Sequence, residues 1–405
     1  MTETSQEKSR QRRSCAVCGS GRSKLLFQQR FAEMSSCSLL KGYDIVVCQQ
    51  CGFVFANNIP SQRHFDHYYK NMSKYENPTS LLKESGYDKK RFLKYLDQFK
   101  PFIKSKNESI IEIGSATGGL LSILNERRYN NILGMDPSPI CAQIAKLSLN
   151  IDTFIGSIND VHKLAQKFSV LIMTGVLEHI RDLNDSLEKI KNLLSHKGRV
   201  FIVVPDASQY QNGIDAPFQE FSIEHINFFG QLSLNNLFRK HGFKKLLSVQ
   251  SSIEPNYNTI TPIITAVYEL KEFEKDSSIE EKDTVTKEGI IKYIEKSKQI
   301  EKKIKYNINS IVKSNKKIFI WGTGTHTLHL LAVSNLSNAN ILAYIDSNPR
   351  HQGQKIKGIP IISPEEISGS TEPIMISSWV YQHEIEKQIR EELHCNNELI
   401  QLYQV

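Results

Sequence analysis

Apolar and polar positions change their rhythm several times along this chain. From about Pro101, short apolar runs alternate with stretches in which apolar residues recur at helical spacing. Ser109–Ile113, Asn131–Met135, Phe168–Met173, Arg199–Val204 and Lys244–Val249 are predicted strands. Between them Leu183, Leu187, Ile190 and Leu194 predict a helix with one buried face. Strands alternating with helices imply a largely parallel sheet covered on both sides. Lys271–Lys287, KEFEKDSSIEEKDTVTK, then breaks the rhythm and reads as a linker or exposed loop. Ile290, Ile294, Ile304, Ile308 and Ile311 predict a long amphipathic helix whose lysines face solvent. A second α/β unit follows: strand Lys317–Trp321, loop Gly322-Thr-Gly324, a helix through Leu328–Leu331, strand Ile341–Ile345 ending at Asp346, and strand Pro373–Ser377. The expected units are 1–75, 76–270, a linker and helix over 271–315, and 316–405.

Composition narrows the class. The 405 residues are 40% hydrophobic and 23% charged, which fits two or three folded domains and excludes wholesale disorder. No apolar run approaches the ~18–20 residues needed to cross a bilayer, and the polar first thirteen residues show no secretory signal. The net charge of +8 suits anionic substrates and is too mild to imply nucleic acid by itself. Seven cysteines, an odd number, argue against a disulfide framework. The expected compartment is the cytoplasm, with no membrane partner.

Four of those cysteines are patterned. Cys15-Ala-Val-Cys18 and Cys48-Gln-Gln-Cys51 are two C-x2-C knuckles with 29 residues between them, each closed by a glycine, Gly19 or Gly52. Doubled knuckles present four thiolates to one ion, the set that a structural zinc takes, so a zinc-binding N-terminal unit is expected. Cys37, Cys141 and Cys395 stand alone and read as small buried hydrophobes.

The second constellation runs through the central unit. Glu112-Ile-Gly114-Ser115-Ala-Thr-Gly118-Gly119 sets glycines between a strand and a helix, where backbone approaches a ligand closely. Asp136-Pro137 ends the next strand, 22 residues after Gly114, where a carboxylate can accept ribose hydroxyls. Those two features serve nicotinamide and adenosyl cofactors alike. Phe168–Met173 then leads into Thr174-Gly-Val176-Leu-Glu178-His179-Ile180, and Leu194-Ser-His-Lys-Gly198 precedes the strand at Arg199.

This order of segments resembles the class I S-adenosylmethionine-dependent methyltransferases. The resemblance implies that Glu112, Gly114, Ser115, Gly118, Asp136, Pro137, Thr174 and Val176 hold S-adenosylmethionine. A four-cysteine unit, a methyltransferase core and a second Rossmann-like unit together resemble the three-domain C-methyltransferases of nucleotide-linked keto sugars. The implied fold is α/β: a small zinc-binding unit, a central doubly wound Rossmann-like domain and a C-terminal Rossmann-like domain that binds substrate. Matching residues include Glu224-His225, the tyrosines Tyr68, Tyr69 and Tyr75, and the loop Trp321-Gly322-Thr-Gly324. Asp346-Ser-Asn348-Pro349 followed by Gly353 also matches. The chain departs where the family commonly reads Y-H-E-H, having Ser222-Ile223-Glu224-His225, and where its loop often carries a lysine, having Thr325-His326.

The expected chemistry follows. Carbon methylation beside a ketone needs a base, and His225 suits the task, with Glu224 orienting its ring or accepting a sugar hydroxyl. His179 is the second candidate base. Tyr75, Gly322, Gly324, Thr325 and Asp346 are expected to bind the sugar nucleotide, with phosphates at the Gly322–Thr325 helix start and further contacts from His326 and His351. O- or N-methylation of a glycan or small molecule is the alternative. A zinc-ribbon RNA methyltransferase stands behind it, its footing the basic residues Lys8, Arg10, Arg12, Arg13, Arg22 and Lys24.

Overall fold

The computed structural model describes residues 11–34, 39–71, 86–271 and 281–403. In chain order the first strands are β1 (Ser23–Arg30), β2 (Gly42–Cys48) and β3 (Val54–Asn57), followed by helices α1 (Gln62–Asn71) and α2 (Gly86–Phe99). The central elements are β4 (Ile110–Ile113), α3 (Gly119–Glu126), β5 (Ile132–Asp136), α4 (Pro139–Leu149), β6 (Thr153–Ile155), β7 (Phe168–Thr174), α5 (Leu183–Leu193) and β8 (Leu194–Pro205). There follow β9 (Asn227–Phe228), α6 (Gln231–Lys240), β10 (Phe243–Ile253), β11 (Thr261–Leu270) and the long α7 (Thr284–Ser314). The last unit holds β12 (Lys317–Trp321), α8 (Thr325–Val333), β13 (Asn340–Ile345), β14 (Lys355–Ile356), β15 (Ile359–Ile362), β16 (Ile374–Ile376) and β17 (Leu399–Gln401).

The central sheet runs β10-β11-β8-β7-β4-β5-β6. Its β4 to β8 members are parallel, while β11 is antiparallel to both β8 and β10. Helices cover both faces, so Val200–Val204 is buried at every position and shows no alternation. The chain winds outward from β4 through β5 on one side and returns to β7 on the other. That reversal opens a crevice beyond the carboxyl ends of β4 and β7. The C-terminal sheet, β14-β15-β13-β12-β16-β17, has a like reversal between β12 and β16.

Several expected boundaries move. α5 stops at Leu193, and Leu194 already pairs with Phe168 as the first residue of β8. The Leu194-to-Gly198 turn is therefore an irregularity inside that strand, with Lys197 at φ 54°. β6 and β11 were not anticipated: β6 has three residues, and β11 has buried residues throughout its middle, so neither alternates. The expected linker ends early, because Asp283 caps α7 by accepting from Thr286 N at 3.0 Å. Lys8, Arg10, Cys37 and Tyr75 lie outside the described residues.

One apolar core joins the two ends of the chain. Phe31, Ile45 and Phe65 of the N-terminal unit, Phe221 and Phe228, Ile290, Ile304 and Ile308 of α7, and Ile318, Leu330 and Met375 of the last unit share it. Backbone ties accompany the packing, among them Ala32 N to Leu328 O at 2.8 Å and Cys51 O accepting from Asp283 N at 2.8 Å.

The segment around β9 is held from two directions. β9 pairs with β3, so a strand from the middle of the chain completes the N-terminal sheet. Asn227 donates to the carbonyls of Leu177 at 2.9 Å and Ile180 at 2.6 Å. Its Oδ1 accepts from Arg13 Nη2 at 2.9 Å. Arg13 also donates to Ala56 O, Ile226 O and Arg181 O. Asn227→Ala strands two carbonyls and one arginine donor in a buried position, so it should lower stability by about 3 kcal/mol or more. A denaturant midpoint within error of wild type would show that the pin is unimportant.

Candidate functional site

The glycine loop follows β4, with Gly114 at φ 74°, Ala116 at 45° and Gly118 at 84°. A Cβ at Gly114 would sit 2.6 Å from Val176 Cγ2, so only glycine lets the loop lie against the residue after β7. Asp136 accepts from Ala116 N and Ser138 N, both at 2.9 Å, which ties the loop to the end of β5. Pro137 begins the turn into α4, whose N-cap Ser138 accepts from Cys141 N. Glu112 is buried at the end of β4 and accepts from Thr174 Oγ1 at 3.4 Å. Its Oε2 and Ser115 Oγ are buried and have no protein partner. Burial, with a smaller push from Asp136, raises the Glu112 carboxyl to about 8. Glu112, Gly114, Asp136, Thr174 and Val176 thus come together at the topological reversal, with Gly118 and Pro137 at the starts of the adjoining helices. Orphaned acceptors, a carboxylate at the second strand and a loop that only glycine permits fit the amine, ribose and adenine edge of S-adenosylmethionine.

Immediately beyond Val176, a 3-10 turn over Leu177–His179 carries Glu178 and His179. The segment before β9 lies on that turn, with Ile226 N donating to Glu178 O at 2.9 Å. This puts the His179 and His225 rings 5.0 Å apart, edge to face. His179 Nδ1 is 3.1 Å from the Glu224 carbonyl and 3.1 Å from Tyr69 OH. Ser222 Oγ accepts from Glu224 N and His225 N, turning the chain so that His225 faces inward.

The structure reassigns the carboxylate partner. Glu224 accepts from Tyr68 OH at 3.1 Å through its side chain, whereas Glu220 Oε2 lies 3.7 Å from His225 Nδ1. Glu220, not Glu224, is placed to orient the His225 ring. Burial first, then Asp215 and Glu178, raises Glu220 to about 8, and burial raises Asp215 to about 7. Glu220 sits in the same Phe218–Phe229 segment as the E-H pair, but nothing in its spacing marks it out.

The four patterned cysteines converge. Cys15 Sγ is 3.4 Å from Cys51 Sγ, and Cys18 Sγ is 3.4 Å from Cys48 Sγ. All four sulfurs lie within 4.8 Å of one another, close to the ~3.8 Å edges of a tetrahedral thiolate site with bonds of ~2.3 Å.

In the last unit, Gly322 has φ 102°, Gly324 caps α8 and Thr325 is its first residue. Space above Gly324 is open. Asp346 ends β13 and accepts from Thr323 N at 3.1 Å and from His351 Nδ1 at 3.2 Å. Burial opposes its ionisation, but those bonds and the N–H of Asn348 hold its carboxyl below the usual range. Asp346 thus braces the loop and has less capacity for a ligand than expected. His326 is buried, 5.6 Å from the Tyr403 ring, and burial depresses it to about 3, so the expected phosphate contact from His326 is withdrawn.

Known proteins extend this picture. A methyltransferase domain family matches residues 87–248, and a family described as C2185-like, N-terminal, matches residues 314–400. A tRNA U34 carboxymethyltransferase from Campylobacter fetus subsp. fetus is 25% identical over 170 residues, 40% of this chain. The matched stretch spans 60% of that relative's length. Among solved structures, magnesium protoporphyrin IX methyltransferase from Synechocystis PCC 6803 is 11% identical with a TM-score of 0.40, covering 50% of this chain and 97% of that one. The 1,6-didemethyltoxoflavin-N1-methyltransferase of Burkholderia thailandensis is 14% identical with a TM-score of 0.39, covering 56% and 98%. Over residues 87–248 the chain carries a methyltransferase domain, of the kind that uses S-adenosylmethionine.

The buried Glu112 carboxyl gives a pH test. The folded chain keeps this proton up to about 8, whereas a carboxyl with the ordinary value of 4.5 gives it up in the unfolded chain. Across that interval the native state binds more protons, so Glu112 makes cofactor-free stability fall as pH rises. Glu112→Gln should flatten this decline between 4.5 and 8, measured by denaturant midpoints. Parallel declines in both proteins would refute the burial argument.

Proposed function

We propose that this enzyme methylates a sugar or nucleotide-linked sugar, at carbon beside a keto group, with His225 as the general base. The observation that carries the reading is the Glu220–His225 pair held one turn beyond the cofactor loop, among Tyr68, Tyr69 and His179. When bound, S-adenosylmethionine supplies an electrophilic methyl group. Glu112, Ser115 and Asp136 would fix its methionine and ribose ends, and Val176 would wall its sulfur side. His225 would take the acidic proton α to the ketone, its ring set beside Glu220. Glu224, which accepts from Tyr68, would accept from a sugar hydroxyl as well. The Gly322–Thr325 helix start offers backbone N–H groups to the diphosphate.

The Cys15, Cys18, Cys48 and Cys51 set fits one structural zinc, closed to other ligands and remote from proton transfer. A small-molecule partner, not nucleic acid or a membrane, and a cytoplasmic setting complete the reading. Of the basic residues that would favour RNA, Arg13 is buried and spends its donors on protein carbonyls. The relative that acts on tRNA matches a minority of this chain. Among the described residues no helix is long and apolar enough to cross a membrane.

The direct experiment supplies labelled S-adenosylmethionine with a panel of nucleotide sugars and identifies the product by mass. Transfer to a keto sugar carbon supports the reading; exclusive transfer to oxygen or nitrogen selects the alternative. His225→Ala should reduce turnover by ~10²–10⁴-fold with cofactor affinity retained, and should remove the acidic limb of the pH–rate profile. Glu220→Gln, which keeps the neutral form that burial already favours at Glu220, should leave that limb in place. An unchanged profile in His225→Ala would place the base elsewhere.

Gly324→Glu tests the phosphate loop. The position is open and has an ordinary φ of −72°, so the fold should tolerate the change. A carboxylate at the helix start should raise KM for a nucleotide sugar about tenfold, equal to about 1.4 kcal/mol, through charge repulsion. An unchanged KM would remove this loop from the substrate site.

A further inference from the structure

Two imidazoles and a carboxylate at the proposed catalytic position have a property that proton transfer does not use. Glu178, His179 and His225 each offer a ligand atom, and the three atoms lie within 4.8 Å of one another. They come from the 3-10 turn after β7 and the segment before β9, which Ile226 N and Asn227 Nδ2 lock together. The tautomer of His179 is set by its surroundings. Its Nδ1 lies 3.1 Å from both the Glu224 carbonyl and Tyr69 OH; a hydrogen on Nδ1 serves the carbonyl, which only accepts, with the phenol oxygen accepting beside it, and this tautomer makes Nε2 the ligand nitrogen. That Nε2 lies 3.9 Å from Glu178 Oε1. A ring hydrogen held by a backbone carbonyl is the outer bond that aims a metal-binding histidine. His225 has its own brace in Glu220, 3.7 Å from Nδ1.

We propose that Glu178, His179 and His225 form a second metal site, distinct from the four-cysteine cluster, that takes a late divalent transition ion such as cobalt, nickel or zinc. Two nitrogens and one carboxylate oxygen are a borderline donor set, suited to these ions over magnesium or calcium. Bonds of ~2.0–2.2 Å place ligand atoms ~3.3–4.2 Å apart, so the widest pair here has under ~1.5 Å to close, which ring and carboxylate rotation can supply. A lone pair on His225 engaged by a metal cannot take a proton, so the ion acts as an inhibitor of methyl transfer. This regulatory consequence rests on His225 being the base; the metal site itself does not.

The test uses the full chain, dialysed against a mild chelator that leaves tightly held metal in place, then titrated with cobalt chloride. Calorimetry and visible absorbance report binding; near-ultraviolet thiolate charge transfer distinguishes the cysteine cluster from a nitrogen and oxygen site. One further equivalent should bind without thiolate charge transfer, and turnover should fall as it fills. His179→Ala and Glu178→Gln should each weaken that equivalent by about tenfold or more while retaining the metal of the cysteine cluster and the wild-type circular dichroism. The proposal is overturned if wild-type protein takes up no second equivalent at millimolar cobalt, a result independent of any variant. It is also overturned if uptake is undiminished in both folded variants. Turnover that rises with occupancy would support the site and overturn His225 as base instead.

Discussion

A buried guanidinium sets the geometry on which the rest of the molecule depends. Arg13 donates to the carbonyls of Ala56 in β3, of Arg181 just past the Leu177–His179 turn and of Ile226 before β9, and to the side chain of Asn227. Burial, with some repulsion from Arg181, lowers it to about 9. A charge in that environment is tolerable only if its donors find acceptors, so removing any one partner is costly. The acceptors are the backbone of the two segments that carry His179 and His225. Their approach is therefore fixed by a residue two positions before the first knuckle cysteine, far from both histidines in sequence.

This explains why the N-terminal unit is more than an appendage. Its first knuckle begins two residues after Arg13, and its second holds the start of α7 through Cys51 O and Asp283 N. Gly52 permits that contact, since a Cβ there would lie 2.1 Å from Asp283 O. α7 then carries Ile290, Ile304 and Ile308 into the core shared with the C-terminal sheet. A cluster of cysteines at one end thereby positions both the histidine pair and the second glycine loop. Loss of an ion from the cysteines would propagate to the site through packing, without any change in the residues that do chemistry.

Much of this was legible in the chain because it depends on local pattern. The strands β4, β5, β7 and β12 begin and end within a residue or so of the apolar runs that signal them. The cysteines, the glycine loop, Asp136 and the Thr174–Ile180 segment announce themselves by spacing. What stayed hidden depends on contacts between distant segments. β9 is two residues long and exists because β3 offers it an edge. Glu220 looks like an ordinary polar residue until folding buries it beside His225. His326 looked like a phosphate ligand because it opens a helix, yet its side chain points into the core. Arg13 sat in a basic run that suggested nucleic acid, and only tertiary structure reveals that its charge is consumed internally.

The electrostatics of the pocket constrain how a carbon nucleophile could be generated there. Carboxyls on Glu178 and Glu220 lie beside the histidines and, where ionised, oppose an enolate. Stabilisation of that oxygen must come from neutral donors. Tyr68 and Tyr69 bring phenol hydroxyls to the same wall, hydrogen-bonded to Glu224 and His179. Glu220 and Asp215, raised to about 8 and about 7, carry protons near neutrality and can donate them as hydrogen bonds. On the proposed reading, the site handles anionic charge by supplying neutral O–H groups whose acidity is suppressed by burial. On that same reading an enolate is held only where it meets a hydroxyl, so a productive substrate would bring its ketone oxygen to the tyrosine side.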